Sequence, residues 1–432
     1  MPMGDSAAAS VPLARRLGTG DAVVVGLGSM IGAGVFAAFT PAAEAAGSGL
    51  LIGLAIAAAV AYCNAVSSAQ LAAQYPTSGG TYVYGRERLG EAWGFIAGWG
   101  FVVGKTASCA AMALTFAAYA VDGPGWLQRL VAVVAVLTLT TVNMLGITRT
   151  AALARVLVAL TLLALLVVVL VIVWKQDAAG SQPSPWRDIG SAGPLGVLQS
   201  AGLLFFAFAG YARIATLGEE VRDPGRTIPR AILVALAITA AIYAAVAGCL
   251  LITLGAGGIS STPTPLVGAA EAVDAAWLGP VVRAGAAVAS LGALLALVAG
   301  VGRTSLAMAR HGDLPRWLAV VAERHRVPRR AEVVVALLVV ALVLATDLRG
   351  AIGFSSFGVL VYYAIANAAA VTQPREHRRW PRAVSITGLV ACLVLVSTLP
   401  TEAVVAGAFV LAVGLAGRAV NRGRYSPGAE SG

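Results

Sequence analysis

The chain has 432 residues, of which 59% are hydrophobic and 12% are charged. Soluble proteins carry about twice that share of charged residues, so the composition excludes an ordinary soluble protein and indicates a membrane protein. The net charge of +10 would favour nucleic-acid binding in a soluble chain. Its distribution along the sequence therefore has to be considered before any partner is inferred.

Long apolar runs fill nearly the whole chain. A helix of about 20 apolar residues crosses the ~30 Å hydrocarbon core of a bilayer, and roughly twelve runs meet that criterion. The runs are continuously apolar, whereas strands of a membrane barrel alternate apolar and polar residues, so the sequence predicts an all-α membrane protein. The ninth and twelfth runs are short. The predicted spans are 21–40, 50–74, 92–120, 128–146, 151–174, 195–217, 229–254, 279–308, 332–346, 351–372, 383–399 and 402–418.

Basic residues lie mainly in the segments that face the cytoplasm if the N-terminus is cytoplasmic. Arg86 and Arg88 follow the second span, and six arginines fall between spans eight and nine. This positive-inside bias predicts that both termini lie on the cytoplasmic side of the cell membrane. It also removes the reason to expect nucleic acid as a partner. We expect one transmembrane domain over residues 1–420, no cleaved signal, and a disordered polar tail over 421–432.

Two of the predicted spans are interrupted by glycine. In the first span, several glycines, among them Gly28 and Gly32, surround Ser29, and in the sixth Gly210 lies among aromatic residues. A break in a membrane helix frees backbone polar groups, which a cavity, an ion or a substrate must satisfy. The first and sixth positions are those that two five-helix repeats of opposite topology would give. Gly28 and Gly32 also fit a small-xxx-small motif, so close helix packing remains an alternative interpretation.

Five segments in sequence order carry a family resemblance. They are similar to signature segments of the amino acid, polyamine and organocation superfamily of secondary transporters. The resemblance implies a leucine-transporter-like fold: a five-plus-five inverted repeat, with repeats at about 20–174 and 195–372 and two extra helices at about 383–418. The segments are 28–36 (GSMIGAGVF), 74–84 (QYPTSGGTYVY), 218–232 (GEEVRDPGRTIPRAI), 308–315 (MARHGDLP) and 362–367 (YYAIAN).

The resemblance also implies a substrate site. In such transporters the substrate's α-carboxylate binds free amides at the break in helix one, its α-amine meets carbonyls of helices one and six, and an aromatic gate covers both. A helix N-terminus carries about half a positive charge and free N–H donors, which agrees with this arrangement. Here the amides belong to residues 32–34, the carbonyls to residues 30 and 209, and the gate is residue 206. The implied site residues are Met30, Gly32, Ala33, Gly34, Phe206, Ala209 and Gly210.

The chain departs from the family pattern at charged positions. Members often carry a lysine within helix five, where this chain has Thr161, and a glutamate at the end of helix two, where it has Gln70. The acidic residue that some members carry in helix six falls on Ala212. These departures leave the coupling ion open and remove acidic groups that would recognise a cationic substrate.

Two cations, Lys105 and Arg213, stand within predicted spans instead. A charge at mid-membrane costs about 2.5–3.5 kcal/mol on insertion scales, so it is normally paired or functional. Arg213 has the alternative of extending towards the membrane surface, and Lys105 that of bonding to backbone carbonyls. Our hypothesis is that Lys105 and Arg213 replace the ion site and serve coupling: Lys105 occupies or neighbours the cavity where sodium sits in related transporters, and there loads a proton. Two cations beside the site would repel basic side chains.

The sequence therefore predicts a secondary active transporter of neutral or acidic amino acids, coupled to protons and working by alternating access. It predicts no enzyme activity, because no nucleophile, base and orienting acid converge, and it predicts no metal or cofactor. An exchanger of amino acids or polyamines remains an alternative, as does a membrane sensor built on a transporter fold. The alanine- and arginine-rich, lysine-poor composition favours a bacterial source.

Overall fold

The computed structural model describes residues 17–77, 79–145, 151–176, 190–218, 220–322 and 327–424, without the side chains of 151–154, 176 and 421–424. These ranges contain no β-strand, only a parallel bridge between Leu17 and Val221. Short 3-10 turns join some of the α-helices. The helices are α1 (Thr19–Met30), α2 (Ala33–Ala37), α3 (Phe39–Ala46), α4 (Leu50–Gln74), α5 (Thr81–Leu89), α6 (Glu91–Ala120), α7 (Gly125–Met144), α8 (Ala151–Gln176), α9 (Gly193–Phe208), α10 (Ala212–Ala215), α11 (Pro224–Ser260), α12 (Pro265–Ala272), α13 (Gly279–Arg310), α14 (Arg329–Ala345), α15 (Leu348–Val371), α16 (Arg382–Thr398) and α17 (Thr401–Arg424).

The helices follow the predicted spans closely. Within the described ranges, ten helical stretches are long and apolar enough to cross a membrane, while α14 and α16 have 17 residues each. The prediction that the twelfth span is short was wrong, because α17 has 24 residues. Its backbone hydrogen bonds continue past Arg418, where the apolar run stops. The helix thus enters the predicted tail, of which residues 425–432 lie outside the described residues, as do Ser78 and Glu219 of the family segments.

Burial separates inner helices from outer ones. In α6 and α15, 78% of the membrane-spanning stretch is buried, whereas the value is 17% in α17 and 22% in both α7 and α8. The outer helices present large aliphatic side chains outward, such as Leu163 and Leu170 of α8, each more than half exposed. In a membrane these faces contact lipid, since lipid tails are as apolar as leucine. Helices α6 and α15 therefore lie at the centre of the bundle.

Glycines bring α6 and α15 into backbone contact. A Cβ atom added to Gly358 of α15 would lie 2.6 Å from the carbonyl oxygen of Gly100, and one added to Gly104 would lie 3.0 Å from the carbonyl oxygen of Ser355. Such spacing leaves no room for side chains at the crossing. Small residues let membrane helices approach this closely and gain van der Waals packing.

Polar side chains in the spans connect helices through hydrogen bonds. Asn367 donates to the Asn64 side chain at 2.6 Å, and Asn143 donates to the carbonyl of Leu295 at 3.0 Å. The Tyr362 hydroxyl accepts from the amide of Thr81 at 3.2 Å. Each bond joins residues distant in sequence and so fixes one helix against another.

A buried charge cluster joins helices at one end of the bundle. The carboxylate of Asp313, which follows α13, accepts from Tyr82 of α5 at 2.8 Å, Arg86 at 3.0 Å and Arg418 of α17 at 2.8 Å. Burial, and then the Asp313 carboxylate, raise the pKa of the Tyr82 hydroxyl, which keeps it protonated as a donor. At the opposite end, Arg349 pairs with Glu44 at 2.6 Å. The Asp313 cluster ties α17 to the inner helices.

The crossing of α6 and α15 predicts a specific stability defect. We expect Gly358→Val to destabilise the protein by about 1–3 kcal/mol or more, because the added atoms would overlap the backbone of α6. The midpoint of thermal unfolding in detergent should fall by a few degrees. Gly300→Ala is the control, since nothing lies within 4 Å of a Cβ atom at that position of α13. Equal midpoints for both variants would contradict the packing interpretation.

Candidate functional site

The first span is broken between α1 and α2. Ile31 still donates its amide to the carbonyl of Leu27 at 2.7 Å, but its ψ of 60° and the ψ of −131° at Gly32 are not helical. In the part of the chain that the structure describes, no protein group accepts from the amides of Gly32, Ala33 and Gly34. The break therefore presents a row of backbone donors inside the membrane, where an unpaired donor is costly.

The sixth span is broken at the same level. Helix α9 ends at Phe208, a 3-10 turn covers Ala209–Tyr211, and α10 follows at Ala212. A Cβ atom added to Gly210 would lie 2.2 Å from the carbonyl oxygen of Ser29 and 2.5 Å from the amide nitrogen of Met30. Glycine at position 210 thus allows the two breaks to touch through their backbones.

Glycines of the first span also serve packing. A Cβ atom on Gly28 would lie 2.8 Å from the side chain of Val158 in α8, and one on Gly34 would lie 2.5 Å from Ala207 in α9. Gly32 faces Ala293 of α13 and Met112 of α6. The two interpretations of these glycines are therefore compatible, because the broken helix is also tightly packed.

Side chains from three other helices bind the carbonyls of the two breaks. The Tyr243 hydroxyl of α11 lies 2.6 Å from the Met30 carbonyl oxygen and 3.0 Å from that of Ala207. The Ala209 carbonyl accepts from the Lys105 ammonium at 3.2 Å and from the Tyr363 hydroxyl at 3.4 Å. The carbonyls of Met30 and Ala209, which the family resemblance assigns to a substrate amine, are thus already hydrogen-bonded within the protein.

Tyr243 and Tyr363 contact carbonyls of the breaks, and the sequence analysis did not name them. Each lies near the middle of a predicted span, where a hydroxyl needs a partner, and that was the available signal. Phe206, the predicted gate, is buried with 6% of its surface exposed. Phe208, two residues on, packs against Tyr243 with ring centroids 5.1 Å apart.

A cavity of about 170 Å³ opens beside the first break. Helices α1, α8 and α13 form its walls, and α10 contributes Arg213. Ser29, Ile31 and Thr161 are among the lining residues. Thr161 thus faces the cavity at the position where related transporters often carry a lysine.

The two cations that the sequence analysis singled out, Lys105 and Arg213, occupy different places. Arg213 lines the cavity and donates to the Thr216 hydroxyl at 3.2 Å. Lys105 is not a lining residue of the cavity: its side chain, 5% exposed, reaches the Ala209 carbonyl of the sixth-span break. Among the described residues, neither cation forms an ion pair with Asp or Glu, and no three His, Cys, Asp or Glu side chains cluster as metal ligands. Within the described residues, both cations therefore lack a carboxylate partner within 4 Å.

A bundle of helices long and apolar enough to cross a membrane, with two broken helices beside a cavity, is typical of multi-pass transporters. A family model of amino acid permeases matches residues 17–421. The chain belongs to this amino acid permease family, and the resemblance inferred from the five sequence segments is confirmed.

Relatives support the same assignment. An uncharacterized transporter of Mycobacterium tuberculosis is 59% identical over 95% of this chain and 92% of its own length. A branched-chain amino acid permease of Bacillus subtilis is 26% identical over 87% of this chain and 84% of its own length. Cationic amino acid transporter 4 of Homo sapiens is 28% identical over 83% of this chain and 60% of its own length. The family and its relatives are transporters rather than enzymes.

The contact at Gly210 predicts the effect of one methyl group. We expect Gly210→Ala to weaken amino acid binding at least about tenfold, because the methyl group would push the two breaks apart. Binding is measured by titration of purified protein in detergent. Gly248→Ala in α11 is the control, since nothing lies within 4 Å of its added Cβ. Wild-type affinity in Gly210→Ala would show that the backbone contact does not position the site.

Proposed function

We propose that this protein is a secondary active transporter that carries neutral or acidic amino acids by alternating access, coupled to protons. The observation that carries the proposal is the backbone contact of Gly210 with Ser29 and Met30, beside amides that no group of the described protein satisfies. A bound carboxylate would satisfy those amides. Amino acid transport in general agrees with the family.

For the fold, we propose twelve crossings in a five-plus-five inverted repeat followed by two extra helices. Helices α14 and α16, at 17 residues, would cross with about 26 Å of helix each, close to the hydrocarbon thickness. The broken spans fall first in each proposed repeat, at about 20–174 and 195–372. The arginines gathered around Asp313 support a cytoplasmic assignment for that end of the bundle.

We propose that the substrate lies across the two breaks. The amides of Gly32, Ala33 and Gly34 would bind its carboxylate, and the half-helix that starts there adds favourable partial charge. The carbonyls of Met30 and Ala209 would receive the amine if their present side-chain donors move aside. Phe206 would cover the substrate, and Gly210 would keep the breaks in contact.

Proton coupling is proposed from Lys105, with Arg213 as the fixed cation. Lys105 is buried and contacts the sixth-span break directly, so a change in its protonation would act on the site without an intermediary. Arg213 lines the cavity beside α8 and stays charged, because a guanidinium does not lose its proton in proteins. A fixed positive charge disfavours a sodium ion there.

The coupling proposal predicts how uptake depends on gradients. Uptake of labelled L-leucine into proteoliposomes should increase severalfold under an inward proton gradient and should not respond to a sodium gradient. In Lys105→Met the increase should disappear, because the side chain that titrates is gone. Lys175→Met is the control, because Lys175 lies in the last turn of α8, away from the cavity-lining residues of that helix. A variant Lys105→Met that keeps the wild-type response to the pH gradient would refute the role of Lys105.

The charge of the site predicts substrate preference. Unlabelled L-arginine and L-lysine should compete for uptake at least about tenfold less well than L-leucine or L-glutamate, because Lys105 and Arg213 repel a cationic side chain. The names of the relatives include both branched-chain and cationic amino acids, so the competition panel decides between them. Strong competition by arginine would overturn this preference without affecting amino acid transport itself.

A further inference from the structure

The ammonium of Lys105 stands where a substrate amine would bind. Its nitrogen lies 3.2 Å from the Ala209 carbonyl oxygen, and the side chain is 5% exposed. Among the described residues, the Lys105 ammonium donates one hydrogen bond, to the Ala209 carbonyl, although an ammonium has three N–H donors. Two donors of a buried, positively charged group therefore have no acceptor among the described residues.

The Ala209 carbonyl has no capacity left for a further donor in this arrangement. A carbonyl oxygen has two lone pairs, and here it accepts from Lys105 and from the Tyr363 hydroxyl. The α-ammonium of an amino acid would have to displace one of them. It would also come close to the charge of Lys105, and like charges repel strongly at low dielectric.

A carboxylate meets the opposite conditions. It is attracted by Lys105, for which the described residues supply no Asp or Glu partner, and it accepts the N–H donors that the lysine leaves unused. Hydrogen bonds between an ammonium and a carboxylate are stronger than those between neutral groups. The hydroxyl of Ser108, three residues along α6, hydrogen-bonds with Ser355 at 2.6 Å and donates to the Gly104 carbonyl at 3.2 Å. The α-amine of a ligand thus adds little net affinity here.

We infer that the protein also transports short carboxylates without an α-amino group, such as 2-oxo acids. The Lys105 ammonium already occupies the position at the Ala209 carbonyl that the α-amine of an amino acid would take. This inference rests on the substrate site proposed above. It differs from amino acid transport alone, in which removal of the α-amine leaves the carbonyls of the breaks unpaired and costs most of the affinity.

The test compares ligands that differ only at the α-carbon. Uptake of a labelled amino acid into proteoliposomes is inhibited with three matched pairs: L-leucine, L-valine and L-glutamate, each against its 2-oxo acid. Direct uptake of the labelled 2-oxo acid of leucine is measured alongside. We expect each 2-oxo acid to inhibit within about tenfold of its amino acid in the wild-type protein. If the α-amine made a charge-assisted hydrogen bond, its removal would instead weaken inhibition roughly ten- to a hundredfold.

Two variants test whether Lys105 is responsible. In Lys105→Met the Ala209 carbonyl is free for a ligand amine, so the preference should shift at least about tenfold towards the amino acid. Lys175→Met removes the ammonium whose acceptor is the Asp274 carbonyl, far from the breaks, and should keep the wild-type ratio. If Lys105→Met does not fold, the wild-type comparison decides by itself.

The outcomes separate the two proposals. If amino acids are taken up but the 2-oxo acids inhibit that uptake more than about tenfold less well, this inference is overturned and the proposed function stands. The same holds if amino acids are taken up and the labelled 2-oxo acid is not. A ratio unchanged in Lys105→Met also overturns the inference. If 2-oxo acids are taken up but amino acids are not, the proposed function is overturned and the inference is supported. If neither is taken up, both proposals are overturned.

Discussion

The backbone contact between the two broken helices is the constraint on which the rest of the site depends. Gly210 brings the sixth-span break against Ser29 and Met30. At that distance each break is shielded from lipid by the other, and the polar groups that helix formation would have satisfied must find partners nearby. Tyrosines and a lysine supply those partners for the carbonyls, whereas the amides of the first break remain available for a ligand.

The chemistry of the site follows from the sign of its charges. Lys105 contacts one break and Arg213 lines the adjoining cavity, and neither has an acidic partner among the described residues. We propose that this environment favours carboxylates and repels cationic side chains. It also gives a physical reason to consider the proton as the coupling ion, because the lysine can exchange one while the arginine cannot. We propose that the backbone groups of the breaks recognise the substrate and that these two side chains set its charge preference.

The surrounding bundle keeps this arrangement in place through two kinds of contact. Glycines at the crossing of α6 and α15 allow backbone packing, which holds Lys105 of α6 near the tyrosine of α15. At one end, Asp313 joins α5 and α17 through Tyr82, Arg86 and Arg418. The buried carboxylate in that cluster is compensated by two guanidinium groups, without which its burial would be strongly destabilising.

The sequence by itself determined the membrane class, the approximate spans, the two breaks and the family. These features are local: apolar run length sets the crossings, and glycine placement sets the breaks. It could not give the full length of α17, because helical hydrogen bonds extend beyond the apolar run. It named Lys105 and Arg213 for their cost in the membrane, but not their positions relative to the cavity.

Only the tertiary structure decided which groups meet. Lys105 and the Ala209 carbonyl are 104 residues apart in sequence, and Tyr243 and the Met30 carbonyl are 213 apart. Hydropathy shows that such polar groups need partners, yet it carries no information on which partner faces them. That choice depends on how the helices pack, which is set by contacts along their whole length.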